Sequence, residues 1–573
     1  MSTSASPLTF APPGPGAWEL EATHYSRPVC RFTQGPITEG FGEGFAESTA
    51  RYGVMLDRME PRFVNDFVFM QPRPFGAPIS ATKPPPKIIF QLLTRLIPKM
   101  RARIRTSREA FEKKQWRLDL AHWDETVRPA SDKKHRELQG IEPSSLSDEA
   151  LVDHLLACRN QIRDMVKQHH QFTVSCSLPI GDLLAHVHEW TKKPHGEVLQ
   201  VLRGSSKISL GVAATELDAL AAALRADADA RALVTSASAD DAAAGTVIER
   251  LKSHDGAVGK AMRAYLDIVG HRTLGYDVSS KSALEMPTML VAAIRTVVAD
   301  DRSSAGADEA SKARIAKLRA DIPAEHHAAF DSLLEEARAI NRLRDERGHY
   351  SDGWALGLAR RALLEVGRRL HTKKKLDDHE LAVDASFEEL RDLLLHDGDT
   401  SLVELRRRAT WRNTRSVSDA DIPQWLGAEP SGPPPVEWFP KDGRRAQRAM
   451  NAFLSGLFDV PKVQRTAVSV KGLPVSPGTY EGTARIVEHE DDFNRIEKGD
   501  VLVTRATSPY FNVVLPLLGA IVTDRGGQLC HAAIVAREYG IPGVVGTREA
   551  TQLVKDGARV RVDGTSGEVT VLE

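Results

Sequence analysis

The fold of the C-terminal region follows from one stretch of sequence, DRGGQLCHAAIVAR, which runs from Asp524 to Arg537. The apolar run before it predicts a strand that ends at Asp524, and the residues after it predict a helix over 531–539. Gly526 and Gly527 allow a tight backbone turn and the close approach of a large anion. His531 is therefore predicted in the first turn of a helix, where N–H groups and the positive end of the helix dipole favour phosphate.

Short β-branched runs bounded by Gly and Asp surround this stretch. They are GTARIVE, DVLVTRA, GAIVTDR, GVVGT, ARVRVDG and GEVTVLE. Such runs are typical of strands, and only one helix falls between the third and the fourth of them. The sequence therefore predicts a compact α/β domain over residues 472–573.

The pattern upstream of this domain is helical. Over residues 88–423 apolar side chains recur at helical spacing, and runs such as ATELDALAAALRADADARAL contain strong helix formers. One apolar stripe extends from Leu92 to Ile104 and is interrupted by Pro98, and Ser147 is a predicted N-cap. We expect a mainly helical domain here.

Two segments rich in Pro and Gly flank the helical domain. Residues 1–87 predict an irregular arm that packs on the helical domain and contains one helix near Phe45–Met59. Residues 424–471 predict a linker with a short helix at Arg444–Leu457. The predicted fold class is a multidomain α plus α/β protein, in which a helical domain precedes a C-terminal β/β/α domain.

The composition excludes several classes of protein. The 76 basic and 77 acidic side chains nearly cancel, so neither nucleic acid nor a membrane surface is the expected partner. The four cysteines have no C-x-x-C spacing, which argues against a disulfide framework or a zinc site. No signal peptide and no run of 18 apolar residues is found, so we expect a cytoplasmic protein.

A histidine at the start of a helix suits the transfer of a phosphoryl group. The imidazole must be neutral to attack phosphorus, and the product carries about two negative charges, as other phosphorylated side chains do. His531 is the predicted carrier, and the groups predicted to support its phosphate are Gly526, Gly527, Arg525 and Ala532. Arg525 has a surface position as an equal alternative, and Cys530 is predicted to be a packing residue.

The segment from Gly526 to Pro542 resembles the swivelling phosphohistidine domain of the phosphoenolpyruvate-utilising enzymes, whose pattern is roughly G-G-x-x-(S/T/C)-H-A-A-(I/V)-x-A-R-x-x-G-I-P. The flanking stretches GLPVSPGTYEGTARIV and VRVDGTSGEVTVL resemble the opening and the close of that domain. The chain is similar to the phosphohistidine-bearing subunit of phenylphosphate synthase and to the C-terminal two-thirds of rifampin phosphotransferase. The resemblance implies that His531 carries the phosphoryl group.

The same family obtains phosphate from ATP through an ATP-grasp domain, or from phosphoenolpyruvate through a TIM barrel. Residues 88–412 predict helices, without the strand–helix alternation of a barrel and without a Gly-rich nucleotide loop. The resemblance therefore implies a separate ATP-grasp subunit, which would bind ATP and Mg²⁺ and release AMP and phosphate. No cofactor is expected to bind tightly to this chain itself.

The helical domain resembles the acceptor domain of these enzymes in two places. Residues 265–275 (YLDIVGHRTLG) are similar to a family segment, although Tyr276-Asp277-Val278 stands where Glu-Ile-Asp is expected. Residues 342–350 (RLRDERGHY) are similar to a second segment. His271 and Arg272 are therefore candidates for proton abstraction and charge stabilisation beside the acceptor, with a satisfied buried polar pair as the structural alternative.

Two further histidines, His186 and His188, form an H-x-H pair in GDLLAHVHEW. They are predicted to be a polar lining or part of the acceptor pocket. Metal ligation is a third alternative, but the carboxylate or thiolate partners that a metal site needs have no recognisable spacing here. We expect no metal site in the chain.

The predicted function is a phosphotransferase that moves phosphate from His531 to a phenolic hydroxyl and forms an aryl phosphate. The alternatives are transfer to a drug or other alcohol, and a regulatory carrier that hands phosphate to another protein. A ligand-sized apolar cavity facing His531 would favour the enzyme.

Overall fold

The structure is a computed structural model of the 573-residue chain. It describes residues 9–206, 212–237, 240–299, 307–396, 398, 400–458, 464–488, 490–507, 511 and 514–572. Among these residues no helix has the length and apolar character needed to cross a membrane.

Helices account for most of the described residues. In the first half of the chain they are α1 (Arg31–Arg51), α2 (Lys87–Leu96), α3 (Pro98–Glu112), α4 (Gln115–His122), α5 (Arg128–Gln139), α6 (Asp148–Gln171), α7 (Thr173–Thr191), α8 (His195–Leu199), α9 (Ala214–Ala226), α10 (Ala228–Thr235), α11 (Asp241–Lys252) and α12 (Ala257–Val269). In the second half they are α13 (Pro287–Ala299), α14 (Ala307–Ala320), α15 (His327–His349), α16 (Asp352–Thr372), α17 (Phe387–Leu395), α18 (Leu402–Thr414), α19 (Lys441–Phe458), α20 (His531–Tyr539) and α21 (Ala550–Leu553). The predicted helical region is confirmed, and so is the N-cap Ser147, whose hydroxyl accepts from the N–H of Ala150 at 3.2 Å.

The described strands form two sheets. They are β1 (Ala17–Leu20), β2 (Leu56–Val64), β3 (Phe67–Pro74), β4 (Trp425–Gly427), β5 (Gln464–Arg465), β6 (Ser469–Lys471), β7 (Leu473–Ser476), β8 (Thr479–Val487), β9 (Asp500–Thr504), β10 (Leu518–Thr523), β11 (Gly543–Val545), β12 (Arg559–Asp563) and β13 (Glu568–Val571). The first sheet has the order β2-β3-β1-β4 and is antiparallel. The second has the order β5-β6-β13-β12-β8-β9-β10-β11-β7, with parallel pairing from β8 to β11.

The chain divides into two compact units that interleave along the sequence. The first unit comprises Met1–Ser175, Tyr276–Ser279 and Tyr350–Gln447. The second comprises Cys176–Gly275, Ser280–His349 and Arg448–Glu573, and so holds both the second sheet and the helices before it. The predicted fold class, a mainly helical region followed by a C-terminal mixed sheet, is confirmed. The consecutive domain boundaries predicted from the sequence stay predictions.

The N-terminal arm differs from its predicted irregular form. Its helix is α1, which includes FTQGPITEGFGEGFAE and ends at Arg51, whereas the predicted helix extended from Phe45 to Met59. The strands β2 and β3 follow, and β2 includes Met59. Helical periodicity was hidden because glycines and small polar residues form most of the packed face after Ile37. A Cβ on Gly40 would lie 2.4 Å from the Arg163 carbonyl oxygen, and one on Gly44 2.1 Å from that of Lys167. Close packing on α6 stabilises α1 where intrinsic propensity does not.

The apolar stripe predicted around Pro98 does not form one buried face. The helix breaks at Ile97, since α2 ends at Leu96 and α3 begins at Pro98. In α3, Met100 and Ile104 are buried, as expected, whereas Leu92 and Leu96 of α2 are exposed.

The C-terminal sheet agrees with its prediction and positions the candidate site. Its parallel strands β9, β10 and β11 are apolar along most of their length, as strands covered on both faces must be. Side chains such as Val503 and Val522 face one core, whereas Leu502 and Ile521 face another that includes α20. The helix predicted at 531–539 is confirmed as α20. It ends at Gly540, whose φ of 68° gives the left-handed turn for which glycine is suited.

Candidate active site

His531 is the first residue of α20, and the loop that leads to it leaves the carboxyl end of β10. Binding sites of sheets with parallel strands lie at this edge, since the following helices direct their N-termini towards it. The imidazole is partly exposed, while Ala532 and Ala533, next in the helix, are buried in the core. The sheet and α20 thus fix the backbone of His531 and leave its ring at the edge.

The ring of His531 is oriented by Thr507, a residue that the sequence analysis did not select. The Thr507 Oγ1 atom lies 3.0 Å from Nδ1 of His531. When Nδ1–H donates to this hydroxyl, the lone pair of the neutral ring lies on Nε2. In the tautomer with the proton on Nδ1, this hydroxyl accepts the hydrogen bond and Nε2 is the nucleophile.

The surroundings of His531 keep its ring neutral. Burial lowers the pKa of His531 to about 3, and the positive charge of Arg344 contributes to the same shift. The imidazole is consequently neutral throughout the range around pH 7, which is the form that can attack phosphorus.

Arg344, on α15, is the charged residue that lowers the pKa of His531. Its Nη2 donates to the Leu529 carbonyl oxygen at 2.7 Å, and its guanidinium lies 5.6 Å from the centre of the Phe453 ring. Burial lowers the pKa of this guanidinium, although arginine retains its charge near neutral pH. Arg344 lies in the RLRDERGHY stretch, for which a family resemblance was noted. The sequence did not identify it as a site residue, because its contact with the loop before His531 is visible only in the structure.

The two glycines of the loop serve the backbone in different ways, and the tight turn predicted for them occurs at Gly526. A φ of 100° at Gly526 excludes most side chains, and a Cβ there would lie 2.7 Å from Sγ of Cys530. Gly527 packs on the end of α19, where its N–H donates to the Leu457 carbonyl at 2.8 Å and a Cβ would meet two carbonyl oxygens at 2.6 Å. Gly527 therefore serves close packing between backbone segments, and its N–H is used by the protein.

Arg525 and Ala532, the other groups predicted to support phosphate, have backbone N–H groups that face atoms of the protein itself. The backbone N–H of Arg525 donates to the Arg505 carbonyl at 2.8 Å. The N–H groups of Ala532 and Ala533 face Cys530 and favour its thiolate, but burial outweighs them and raises the pKa of the thiol. Cys530 is thus a neutral thiol over the start of α20, in agreement with its predicted packing role.

The predicted acceptor residue Arg272 is committed to the backbone. It is buried, its Nε donates to the Ile268 carbonyl at 2.5 Å, and its Nη1 donates to the carbonyl of His349. Burial lowers the pKa of His349 to about 3, and the positive charge of Arg272 contributes to the same shift. His271, beside Arg272, is partly buried.

His186 and His188 lie at the end of α7, and their place in an acceptor pocket stays a prediction. The Nδ1–H of His186 donates to the Asp182 carbonyl at 2.8 Å, and Arg448 donates to its Nε2 at 2.7 Å. His188 is exposed and its Nδ1 lies 2.8 Å from the Lys193 carbonyl. No cluster of three or more His, Cys, Asp or Glu side chains able to hold a metal occurs among the described residues.

The candidate site therefore consists of a neutral histidine at the start of a helix that covers a sheet with parallel strands. In agreement, residues 496–567 match the family model of the PEP-utilising enzyme mobile domain. Residues 169–346 match that of the rifampicin phosphotransferase fourth domain. The resemblance noted at Gly526–Pro542 is confirmed, since this segment lies within the residues that are similar to the PEP-utilising mobile domain.

Several curated proteins are similar to parts of this chain. Rifampicin phosphotransferase of a Streptomyces species is 30% identical over 325 residues, which is 54% of this chain and 34% of that protein. The uncharacterized phosphotransferase YvkC of Bacillus subtilis is 31% identical over 245 residues, 42% of this chain and 27% of that protein. Phosphoenolpyruvate synthase of Aeropyrum pernix is 50% identical over 103 residues, 18% of this chain and 13% of that protein. The chain spans about a third or less of the length of these relatives.

Proposed function

We propose that the protein is a phosphotransferase that carries a phosphoryl group on Nε2 of His531 and transfers it to an organic hydroxyl. One observation carries the proposal: the Thr507 hydroxyl lies 3.0 Å from Nδ1 of a neutral imidazole at the first turn of α20, and the positive charge of Arg344 acts on that ring. The names of the relatives, phosphotransferases and a phosphoenolpyruvate synthase, support the same class of reaction.

The transfer step forms one bond and breaks one. The acceptor oxygen attacks phosphorus, the P–N bond to Nε2 breaks, and its electron pair returns to the imidazole. Arg344 offsets the charge of the transferring phosphoryl group, since its planar guanidinium can hold two of the oxygens. Positioning and charge stabilisation then account for most of the rate enhancement.

The hydroxyl proton goes to a neutral histidine of the same unit. His271, predicted from the sequence, and His349, whose pKa responds to the charge of His531, are the two candidates. Two negative charges on phosphorylated His531 would raise the pKa of His349 from about 3 and make this ring a better base when it is needed.

We infer a phenol as the acceptor, which makes the product an aryl phosphate. A phenol has a pKa of about 10, so a neutral histidine can assist its deprotonation near neutral pH. The match of residues 169–346 to the rifampicin phosphotransferase fourth domain supports a second candidate, the hydroxyl of a drug or another alcohol. Transfer to either acceptor would use the same phosphorylated His531.

The proposed phosphate source is ATP, bound with Mg²⁺ by a separate ATP-grasp subunit. Support comes from residues 88–412, whose described part is helical and lacks the sheet that an ATP-grasp domain requires. His531 would then move between donor and acceptor on the connector at 424–471. This chain would hold neither ATP nor a metal tightly.

The experiment separates loading of the carrier from its discharge. Phosphoramidate, a small-molecule phosphoryl donor, is used to load the wild-type chain and His531→Ala, and acid-labile, base-stable phosphate is measured. Loaded chain is then mixed with a panel of phenols and alcohols, and ³¹P NMR follows the phosphate esters. We expect loading of wild type only and discharge to at least one hydroxyl compound.

A second arm replaces phosphoramidate by ATP, Mg²⁺ and candidate ATP-grasp proteins, and measures AMP. Loading of His531→Ala to the wild-type level would overturn the carrier role. A loaded chain that discharges to proteins but to no hydroxyl compound would replace the enzyme with a regulatory carrier.

A further inference from the structure

Helix α2 has two apolar faces, of which the protein covers one. Phe90 and Thr94 are buried on the inner face, and the Phe90 ring lies 5.0 Å from that of Phe439 and 6.2 Å from that of Trp438. Residues on the opposite side are also large and aliphatic. Large aliphatic side chains that stay exposed together on one side of a helix indicate a further cover for that side.

The outer face of α2 is exposed in the first unit. Ile88 is 71% exposed, Leu92 50% and Leu96 69%, and this i, i+4, i+8 spacing places them in one row. Ile89 and Ile97, 48% and 36% exposed, widen the row to a patch. Single exposed apolar residues are normal, but a contiguous aliphatic patch marks an interaction site.

The sequence segment that contains this patch carries only positive charge. The segment 83–108 contains eight cations and no Asp or Glu, although the whole chain is nearly neutral. Three of the eight are used inside the protein, because Arg103 donates to backbone carbonyls and Arg105 and Arg108 pair with carboxylates. The other five form no ion pair with any described residue; they are Lys83, Lys87, Arg95, Lys99 and Arg101.

We propose that the outer face of α2 is the docking surface for the ATP-binding donor subunit, which presents an apolar groove with a carboxylate rim. The inference rests on the proposed function, since it assigns the partner that loads His531. Anchors in one row on a helix are the pattern by which a helix enters a groove. The five cations would meet the rim, fix the register and accelerate encounter.

The inner contacts of α2 support a protein partner. Phe90 fixes the helix to Phe439, so the outer row is a rigid edge that loses little entropy on binding. The exposed row consists of Ile and Leu, without the Trp or Tyr that anchors interfacial helices in lipid headgroups. A second copy of this chain would bring five more cations to the same patch and be repelled.

The test uses Leu92→Glu, which places a carboxylate in the centre of the row. Val403→Glu is the matched control, because Val403 is an exposed aliphatic residue, 74% accessible, on α18 of the same unit. Each full-length variant is loaded in parallel by phosphoramidate and by ATP with the ATP-grasp protein that loads the wild type. Affinity for that protein is measured by calorimetry at two salt concentrations.

We expect Leu92→Glu to bind the donor subunit at least about 30-fold more weakly, as for loss of a central anchor, while phosphoramidate loads it as fast as wild type. Val403→Glu should match the wild type in both arms. Lys87→Glu combined with Arg95→Glu, which leaves the core untouched, should slow association and weaken its salt dependence.

Equal ATP-dependent loading of Leu92→Glu and wild type would overturn the inference. So would an effect of the substitution confined to self-association or to binding of anionic vesicles. If phosphoramidate loads His531 but no ATP-grasp protein does, the proposals of a donor subunit and of its docking surface are both refuted. The proposal that His531 carries the phosphoryl group is then retained. Failure of phosphoramidate loading in the wild type would instead refute the proposed function.

Discussion

His531 and Arg272 were both selected from the sequence for chemistry, and the structure treats them differently. The Nδ1 of His531 lies 3.0 Å from the Thr507 hydroxyl, and the ring stays neutral. The guanidinium of Arg272 donates to two backbone carbonyls, of Ile268 and His349. A side chain that holds backbone in place stabilises the fold, whereas one held by the fold can react. Four substitutions test this contrast.

The largest effect should come from His531→Ala. Loss of the nucleophile removes the covalent intermediate, so transfer should fall by a factor of about 10⁴ or more. The partly exposed ring contributes little to packing, so the melting temperature should change little. Phosphate transfer by ³¹P NMR and unfolding by circular dichroism measure the two properties. A variant that unfolds at a much lower temperature would show that the contrast with Arg272 is wrong.

Arg272→Ala should show the opposite profile. Two buried carbonyls would lose their donor, which costs roughly 3 kcal/mol of unfolding free energy. His271→Ala is the neighbouring control, and its partly buried ring should cost much less. Urea denaturation measures both. If Arg272→Ala is as stable as wild type but transfers phosphate slowly, the guanidinium acts on the acceptor, as the sequence predicted.

Thr507→Val removes the hydroxyl and retains the shape of the side chain. Without its partner, the ring can place the proton on either nitrogen, and we expect loading of His531 to slow about 10-fold to 100-fold. Thr507→Ser, which restores the hydroxyl, should recover most of the rate. A rate that is equal in the valine and serine variants would show that the hydroxyl does not select the tautomer.

Arg344→Ala should change the acid–base behaviour of His531. Its charge disfavours the imidazolium, so its removal should raise the pKa of His531 from about 3 towards the usual value of about 6.5, although burial still lowers it. Because the folded pKa lies below the unfolded one, the wild-type arrangement loses stability as the pH falls from about 6.5 to 3. The variant should lose less over that window.

NMR titration of the imidazole measures the pKa in both proteins. Arg342→Ala is the matched control, since Arg342 pairs with Glu346 at 2.8 Å on the same helix. A pKa that rises equally in both variants would assign the effect to the helix and not to the charge of Arg344.

Parts of this molecule were predictable because their signals are local. The span of α20, the N-cap Ser147 and the apolar strands β9 and β10 follow from nearest-neighbour patterns and from the period of apolar residues. Helix α1 was not predictable, because its glycines are explained only by their close packing on the α6 backbone. Thr507 was missed for a similar reason: it lies 24 residues from His531, and no spacing connects a strand-end hydroxyl to a ring nitrogen.

The sequence by itself determined that His531 begins a helix after a buried strand, since glycines, a strand and a helix start occur within 20 residues. Only the tertiary structure decided which ring nitrogen faces Thr507, that Gly527 packs on α19, and that Arg272 holds carbonyls. The physical reason is that hydrogen-bond capacity is shared among residues distant in sequence. A residue's type sets what it can donate or accept, and the fold decides where that capacity is used.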